Sequence, residues 1–155
     1  FGPAANGELQ AQHFLDVVGA GAPGQILVAL DFEMNEPEPH NSMRLPQAIE
    51  FIHHVKNRIG RAPVLYAGQY LREQLAAPGV VVDPVLFECA LWLAQWHEPI
   101  KPIVGWALDR IPLWQYTGDG KGPEPHAVAG IGDNLDRDKF QGDEAALRAW
   151  WPKRG

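Results

Sequence analysis

The sequence predicts an α/β protein built on a parallel sheet. Short apolar runs of strand length alternate along the chain with segments of helical periodicity, which is the pattern of βα units. The first run, residues 26–30, lies between Pro23-Gly24 and a proline-rich loop, as expected for a strand buried on both faces. The 155 residues are 46% hydrophobic and 21% charged, so we expect one globular domain over residues 1–155.

Four segments have the spacing of amphipathic helices. Residues 8–18 place apolar side chains on one side of a helix. Residues 45–59 repeat apolar residues at helical spacing and stop at Gly60, a residue that commonly ends helices. Residues 69–76 predict a short third helix, and residues 145–151 predict a closing one.

The predicted strands fill the intervals between these helices. The first strand ends in Asp31-Phe32-Glu33, and a weak, short candidate comes last, at residues 133–136. The other strands are predicted at residues 63–67, 90–96 and 111–116. Residues 98–111 and 117–132 carry no convincing helical pattern, so we expect them to be loops.

Two carboxyl groups close the first predicted strand. Because side chains alternate along a strand, Asp31 and Glu33 point to one face and Phe32 to the other. The carboxyl ends of buried strands are where α/β barrels keep their catalytic residues, and paired carboxylates are the usual means of cleaving a glycosidic bond. Their Cα atoms are roughly 6.6 Å apart along a strand, which leaves both a direct nucleophile and an activated water open. Burial and a neighbouring carboxylate would both favour a protonated donor.

Composition argues against several other classes of protein. The formal net charge of −6 is opposite to what phosphate neutralisation requires, so we expect no nucleic-acid partner. No apolar run approaches the roughly 20 residues that span a bilayer, and we expect no membrane partner. Cys89 is the single cysteine, which rules out an intrachain disulfide. His53-His54 are adjacent on a predicted helix and do not converge on one metal ion.

Five motifs occur along the chain in a fixed order. They are Leu30-Asp31-Phe32-Glu33, Pro63-Val64-Leu65-Tyr66, Leu91-Trp92-Leu93-Ala94-Gln95-Trp96, Leu113-Trp114-Gln115-Tyr116-Thr117 and residues 130–142. Together they resemble glycoside hydrolase family 25, the N-acetylmuramidases called Chalaropsis-type lysozymes. The opening Phe1-Gly2-Pro3 and residues 10–14 are similar to the segment just after the third strand of that family, so the resemblance covers essentially the whole chain.

The resemblance implies a TIM-like (β/α) barrel that is incomplete in this chain. The family has eight strands and fewer than eight helices, whereas this sequence accounts for about five strands and lacks the first three. One of those three carries a further active-site Asp. We therefore expect an N-terminally truncated domain, and three explanations stay open: a fragment, a second chain that completes the barrel, or a remnant that folds differently and hydrolyses nothing.

The resemblance also implies catalytic roles for three acidic residues. Glu33 matches the general acid/base. Asp31 matches the nucleophile or, in a substrate-assisted route, the group that steadies the reacting acetamido group. Asp136 matches an Asp of the closing motif that lies near the site.

Four further residues match positions that contact sugar or line the site in such enzymes: Tyr66, Trp92, Trp96 and Gln115. The family has Tyr more often where Trp96 stands and usually Asn where Asp138 stands, so details of sugar contact differ here. Three histidines in loops near strand ends, His40, His97 and His126, could also line the cleft.

The activity implied is hydrolysis of the β-1,4 bond between N-acetylmuramic acid and N-acetylglucosamine in peptidoglycan. We expect the reaction to retain the anomeric configuration and to need no metal or organic cofactor. We also expect an extracellular or cell-wall location, reached by secretion or by phage lysis. Two alternatives stay open: an inactive glycan-binding or assembly module derived from such an enzyme, and a glycosidase of chitin-like polymers.

Overall fold

The computed structural model describes residues 6–19 and 26–154, and side chains up to residue 151. The predicted boundary at Pro23-Gly24 and the opening Phe1-Gly2-Pro3 lie outside the described residues. None of the helices in the described ranges combines the length and apolar character that a membrane crossing requires.

Helices and strands alternate in the order that the sequence predicts. The helices are α1 (Gly7–Val18), α2 (Leu45–Ile59), α3 (Gln69–Ala76) and α4 (Glu144–Arg154). The strands are β1 (Ala29–Phe32), β2 (Val64–Ala67), β3 (Leu91–Ala94), β4 (Leu113–Thr117) and β5 (Arg137–Phe140). Short 3-10 helices, which the sequence analysis missed, lie at Pro39–Asn41, Pro84–Glu88 and Leu108–Arg110. The predicted bounds of α2 and α3 are confirmed.

The five strands form one sheet in the order β1-β2-β3-β4-β5. The first four strands are parallel, as predicted, but β5 runs antiparallel to β4. The expectation of a wholly parallel sheet is therefore wrong for the last strand. The connection from β4 to β5 folds into turns rather than a crossover helix, so the chain re-enters the sheet from the end at which β4 leaves it. The strand predicted at residues 133–136 is also wrong, because Asn134 has a left-handed backbone with φ of 57°.

One face of the sheet carries the hydrophobic core. Alternate residues of β1 to β4 turn toward α2 and its neighbours, and all are buried: Leu30, Phe32, Leu65, Ala67, Leu91, Leu93, Trp114 and Tyr116. Helix α2 supplies Phe51, Ile52 and Val55, which are fully buried in the same cluster. Each such large apolar side chain stabilises the fold by about 1.5–3 kcal/mol relative to exposure, so this face dominates the stability of the domain.

The opposite face carries polar and aromatic side chains. Asp31 pairs in register with Tyr66, and Tyr66 pairs with Trp92. Asp31 is exposed and Ala29 is half-buried, so β1 is buried on one face only and the expected burial on both faces is wrong. The reason is that the helices of the described residues cover only the core face, which leaves the other face as an open wall.

Helix α1 approaches α2 closely through a glycine. Asn6 caps α1 by accepting a hydrogen bond from the backbone N–H of Leu9 at 2.8 Å. Gly7 donates its own N–H to Oε2 of Glu50 at 2.8 Å. A Cβ atom on Gly7 would lie 1.8 Å from the carbonyl oxygen of Gln47, so only glycine permits this helix contact.

We expect Gly7→Ala to lower the free energy of unfolding by about 1–3 kcal/mol, because overpacking outweighs the gain in helix propensity. Chemical denaturation followed by circular dichroism measures this change. Val17→Ala removes methyl groups from a side chain of α1 that is 73% exposed, and serves as the control with little effect. A Gly7→Ala protein as stable as the parent would show that the α1–α2 contact does not constrain the fold.

Candidate active site

Asp31 and Glu33 lie on the open face at the carboxyl end of β1. Leu30 and Phe32 turn into the core. Asp31, which lies between them, and Glu33, which follows Phe32, are exposed. Partial desolvation by neighbouring atoms raises the pKa of Asp31, although its side chain stays accessible to solvent. The pKa of Glu33 is raised first by burial and then by the negative charges of Asp31, Asp136 and Asp119. Glu33 therefore holds its proton to higher pH than an ordinary carboxyl group, as a proton donor must.

The amide of Gln115 joins three of the predicted site residues. Its Oε1 accepts hydrogen bonds from the Tyr66 hydroxyl and from Nε1 of Trp96, both at 3.0 Å. Its Nε2 donates to Oδ2 of Asp136 at 3.4 Å. These partners fix the direction of the amide, with its oxygen toward the two aromatic donors. Gln115 is only 5% exposed and lies beneath the rings that it holds.

Tyr66 is a neutral hydroxyl in this site. Burial and the charge of Glu33 raise the pKa of Tyr66 well above its usual range, while the hydrogen bond to Gln115 acts in the opposite direction. Its ring meets the ring of Trp92 edge to face, with centroids 5.4 Å apart. Such contacts, together with the hydrogen bond, hold the phenol in one orientation toward the cleft.

Asp138 is a site residue that the sequence analysis treated only as a departure from the family. It pairs in register with Gln115, and its Oδ1 accepts a hydrogen bond from Nε1 of Trp92 at 2.6 Å. Burial raises the pKa of Asp138, and the Trp92 hydrogen bond opposes that rise. The carbonyl oxygen of an Asn could accept the same hydrogen bond, so the departure leaves the position of Trp92 intact.

A tight hairpin closes the other side of Trp96. Gly118 and Lys121 exchange two backbone hydrogen bonds, of 3.2 and 2.8 Å. Between them Asp119 and Gly120 have φ values of 52° and 70°, as a type I′ turn requires. Asp-Gly is a strong hairpin signal in sequence, and the prediction of a loop without a helix over residues 117–132 did not identify this turn.

Gly118 packs directly against the indole ring of Trp96. A Cβ atom on Gly118 would lie 2.5 Å from the indole ring, so a larger residue would displace Trp96. The Nζ atom of Lys121 lies 5.6 Å from the centroid of the same ring, within cation–π distance. The turn thus sets the position of the indole and places a cation beside it.

A cavity of about 670 Å³ brings these groups together. Glu33, Tyr66 and Trp96 line it, whereas Asp31 and Trp92 do not. Trp92 packs edge to face against the Tyr66 ring. Asp136 joins the site through Gln115. Among the three histidines considered, His97 lines this cavity and the other two do not. The described residues contain no group of three or more His, Cys, Asp and Glu side chains placed to hold a metal ion.

A second cavity, of about 760 Å³, shows that volume alone does not select the site. It lies beside Pro99, Trp114 and Phe140, and Glu98 is the only carboxyl group in its lining. The smaller cavity is lined by Glu33, which follows Asp31 at the end of a parallel strand, and by aromatic rings. An acid pair beside aromatic rings at the ends of parallel strands is the combination found in glycoside hydrolases.

Comparison with known proteins defines the family within that class. The model of the family described as Glycosyl hydrolases family 25 matches residues 1–124, and the chain belongs to this family. The match ends before Asp136. The comparison with curated proteins gave no match.

Solved structures share the fold. The bacterial lysozyme from Streptomyces coelicolor has a TM-score of 0.68 at 21% identity, covering 98% of this chain and 69% of that one. The muramidase from Acremonium alcalophilum has a TM-score of 0.64 at 23% identity, covering 94% and 66%. A family 25 glycosyl hydrolase from Bacillus anthracis has a TM-score of 0.62 at 19% identity, covering 94% and 63%. The chain thus spans about two thirds of the length of these structures.

The raised pKa of Glu33 predicts that its charge destabilises the folded protein at neutral pH. The folded state binds this proton more tightly than the unfolded chain, so stability falls as pH rises from the ordinary value of 4.5 through the raised pKa. We expect Glu33→Gln to be more stable than the parent at pH 7, and the advantage to vanish below about pH 4.5. Thermal unfolding across this pH range measures the difference.

The control for this comparison is Glu38→Gln, which changes an exposed carboxyl group outside the cavity. Its stability should follow the parent at every pH. A Glu33→Gln protein that is less stable than the parent at pH 7 would contradict the electrostatic interpretation.

Proposed function

We propose that this protein is a peptidoglycan hydrolase that cleaves the β-1,4 bond between N-acetylmuramic acid and N-acetylglucosamine. The observation that carries the proposal is the position of Glu33, which lines a cavity together with Tyr66 and Trp96 and whose pKa is raised by burial and by the nearby charge of Asp31. Family membership supports a glycosidase, and solved relatives with the same fold are described as a muramidase and a lysozyme. An extracellular or cell-wall location belongs to the same proposal.

Glu33 is the proposed general acid and base. Its carboxyl group transfers a proton to the glycosidic oxygen as the bond from that oxygen to the anomeric carbon breaks. The leaving sugar departs as an alcohol, and Glu33 becomes a carboxylate. That carboxylate then takes a proton from the water that attacks the anomeric carbon, which restores the starting state. Two displacements at one carbon retain its configuration.

Asp31 is the proposed partner of the developing positive charge. In one route its carboxylate attacks the anomeric carbon and forms a glycosyl ester, which water later opens. In the other route the acetamido oxygen of the substrate attacks, and Asp31 accepts the hydrogen bond of the acetamido N–H. In both routes the attack comes from the side of the anomeric carbon opposite the departing oxygen, so the proposal has Asp31 acting on one side of the sugar and Glu33 on the other.

Tyr66 and Trp96 are the proposed sugar contacts, since both line the cavity with Glu33. Trp92 supports Tyr66 through an edge-to-face contact between their rings. Gln115 acts as a positioning residue, because its buried amide holds both rings and also reaches Asp136.

A second candidate is a glycan-binding or assembly module without hydrolytic activity. It is favoured by the exposure of Asp31 and by the place of β1 at one edge of the sheet formed by the described residues. A second chain pairing with this edge would enclose the acids and exclude water.

Replacement of Glu33 distinguishes the hydrolase from the glycan-binding module. If the chain is a hydrolase, purified protein clears a suspension of bacterial cell walls and releases reducing sugar, and Glu33→Gln lowers the rate by about 10²- to 10⁴-fold. Asp31→Asn should lower it as well, because the developing charge loses its partner. Glu38→Gln serves as the matched control and keeps the parent rate.

Each other outcome has a defined meaning. Binding to walls without release of reducing sugar supports the module. Faster release from chitin than from peptidoglycan, compared side by side, contradicts the muramidase. Loss of activity in Glu38→Gln as well as Glu33→Gln would show that the assay reports general damage rather than acid catalysis.

Gln115→Met tests the positioning role. The substitution keeps the volume of the side chain but leaves the Tyr66 hydroxyl and the Trp96 N–H without an acceptor. We expect the free energy of unfolding to fall by about 1–3 kcal/mol and KM for soluble glycan to rise more than kcat falls. Gln141→Met, at an exposed position that does not line the cavity of Glu33, is the control. An unchanged KM would contradict a role in holding the sugar contacts.

A further inference from the structure

The cavity that holds Glu33 also carries a set of cations. Arg72, Lys101 and Lys121 line it, and none of them forms an ion pair with a carboxylate among the described residues. Besides Glu33, the carboxyl group in the lining is that of Glu73, which accepts a hydrogen bond from a neighbouring glutamine at 2.9 Å. In a protein of net charge −6, three uncompensated cations in one cleft indicate an anionic ligand.

Lys101 is held at the rim by a buried hydrogen-bond network. Gln95 is 6% exposed, and its Nε2 donates to the carbonyl oxygens of His97 and Pro99 at 2.8 and 3.0 Å. Its Oε1 accepts the backbone N–H of Lys101 at 3.1 Å. The guanidinium of Arg72 donates to the carbonyl oxygens of Lys101 and Pro102, which neutralise none of its charge. The loop that carries Lys101 is therefore anchored, and its ammonium group is left for a ligand.

Lys121 is placed by the hairpin rather than by a network. The type I′ turn fixes its backbone against Gly118, and its ammonium group lies beside the Trp96 ring. A sugar ring stacked on Trp96 would therefore lie next to this cation. Desolvation by the sugar would strengthen any contact between the ammonium group and a negative substituent.

The cations match a chemical difference between two kinds of glycan. A chain of N-acetylglucosamine is neutral, whereas muramic acid adds a lactyl group with a carboxyl group, and a stem peptide adds carboxylates of its own. We propose that Lys121 and Lys101 form a carboxylate-binding subsite beside Trp96 that recognises an acidic substituent of the glycan strand. This inference rests on the proposed function for the class of substrate, and it adds the feature that distinguishes peptidoglycan from a neutral polymer.

Binding measured without turnover tests the subsite. In the Glu33→Gln background, calorimetry gives Kd for chitotetraose and for a peptide-free tetrasaccharide of alternating N-acetylglucosamine and N-acetylmuramic acid. We expect the acidic tetrasaccharide to bind about three- to tenfold more tightly. Lys121→Gln should remove most of this difference and Lys101→Gln part of it, with Kd for chitotetraose unchanged. Added salt should also reduce the difference.

The control is Lys56→Gln, because Lys56 lies on α2 and pairs with Glu88 outside the cavity. It should leave both Kd values at those of the background. If neither the peptide-free acidic tetrasaccharide nor the same ligand carrying stem peptides binds more tightly than chitotetraose, the subsite is overturned and the proposed function stands. A preference that survives Lys121→Gln together with Lys101→Gln overturns it in the same way. Failure of both glycans to bind contradicts the proposed function and the subsite with it.

A third ligand identifies the source of the carboxylate. In the same tetrasaccharide with stem peptides attached, the lactyl carboxyl group becomes an amide and the peptide supplies the negative charge. Dependence on Lys121 with the peptide-free ligand assigns the lactyl carboxylate. Dependence only with the stem-bearing ligand assigns a peptide carboxylate, and either result supports the subsite.

Discussion

The two-residue alternation of the strands is the constraint on which this structure depends. In β1 the alternation sends Leu30 and Phe32 into the core and Asp31 to the open face. The same rule separates Trp114 from Gln115 in β4. A shift of one residue in any strand would bury acids against the helices and expose the core, so the stability of one face enforces the arrangement of the other.

The open face is ordered by hydrogen bonds instead of hydrophobic packing. Gln115 is its centre, since one amide holds an aromatic donor from β2 and another from the loop after β3, and reaches an acid beyond β4. Because the amide is buried, breaking any of these hydrogen bonds would leave a polar group without a partner. That free-energy cost disfavours movement of the side chains and makes the cluster rigid. Rigidity suits a site in which the orientation of a proton donor and of a sugar determines the rate.

The sequence predicted the parts of the fold that depend on local pattern. Apolar periodicity gave α2 and α3 to the residue, and the apolar run before Asp31 gave the strand that carries the acids. The antiparallel direction of β5 could not be predicted from local pattern, because it depends on turns whose geometry is set by residues with a left-handed backbone, such as Asn134. The role of Asp138 was also missed, since register across β4 and β5 is a long-range property. The Asp119-Gly120 turn, by contrast, had a readable signal that was overlooked.

That turn links two otherwise separate features of the cleft. Asp119 contributes negative charge near Glu33, while two residues later Lys121 lies beside Trp96. A change in the length of this turn would alter both at once and leave the helix-packed face untouched. Under the function and subsite proposed above, an insertion or deletion at this one surface position would change the acidity of Glu33 and the preference among glycans together.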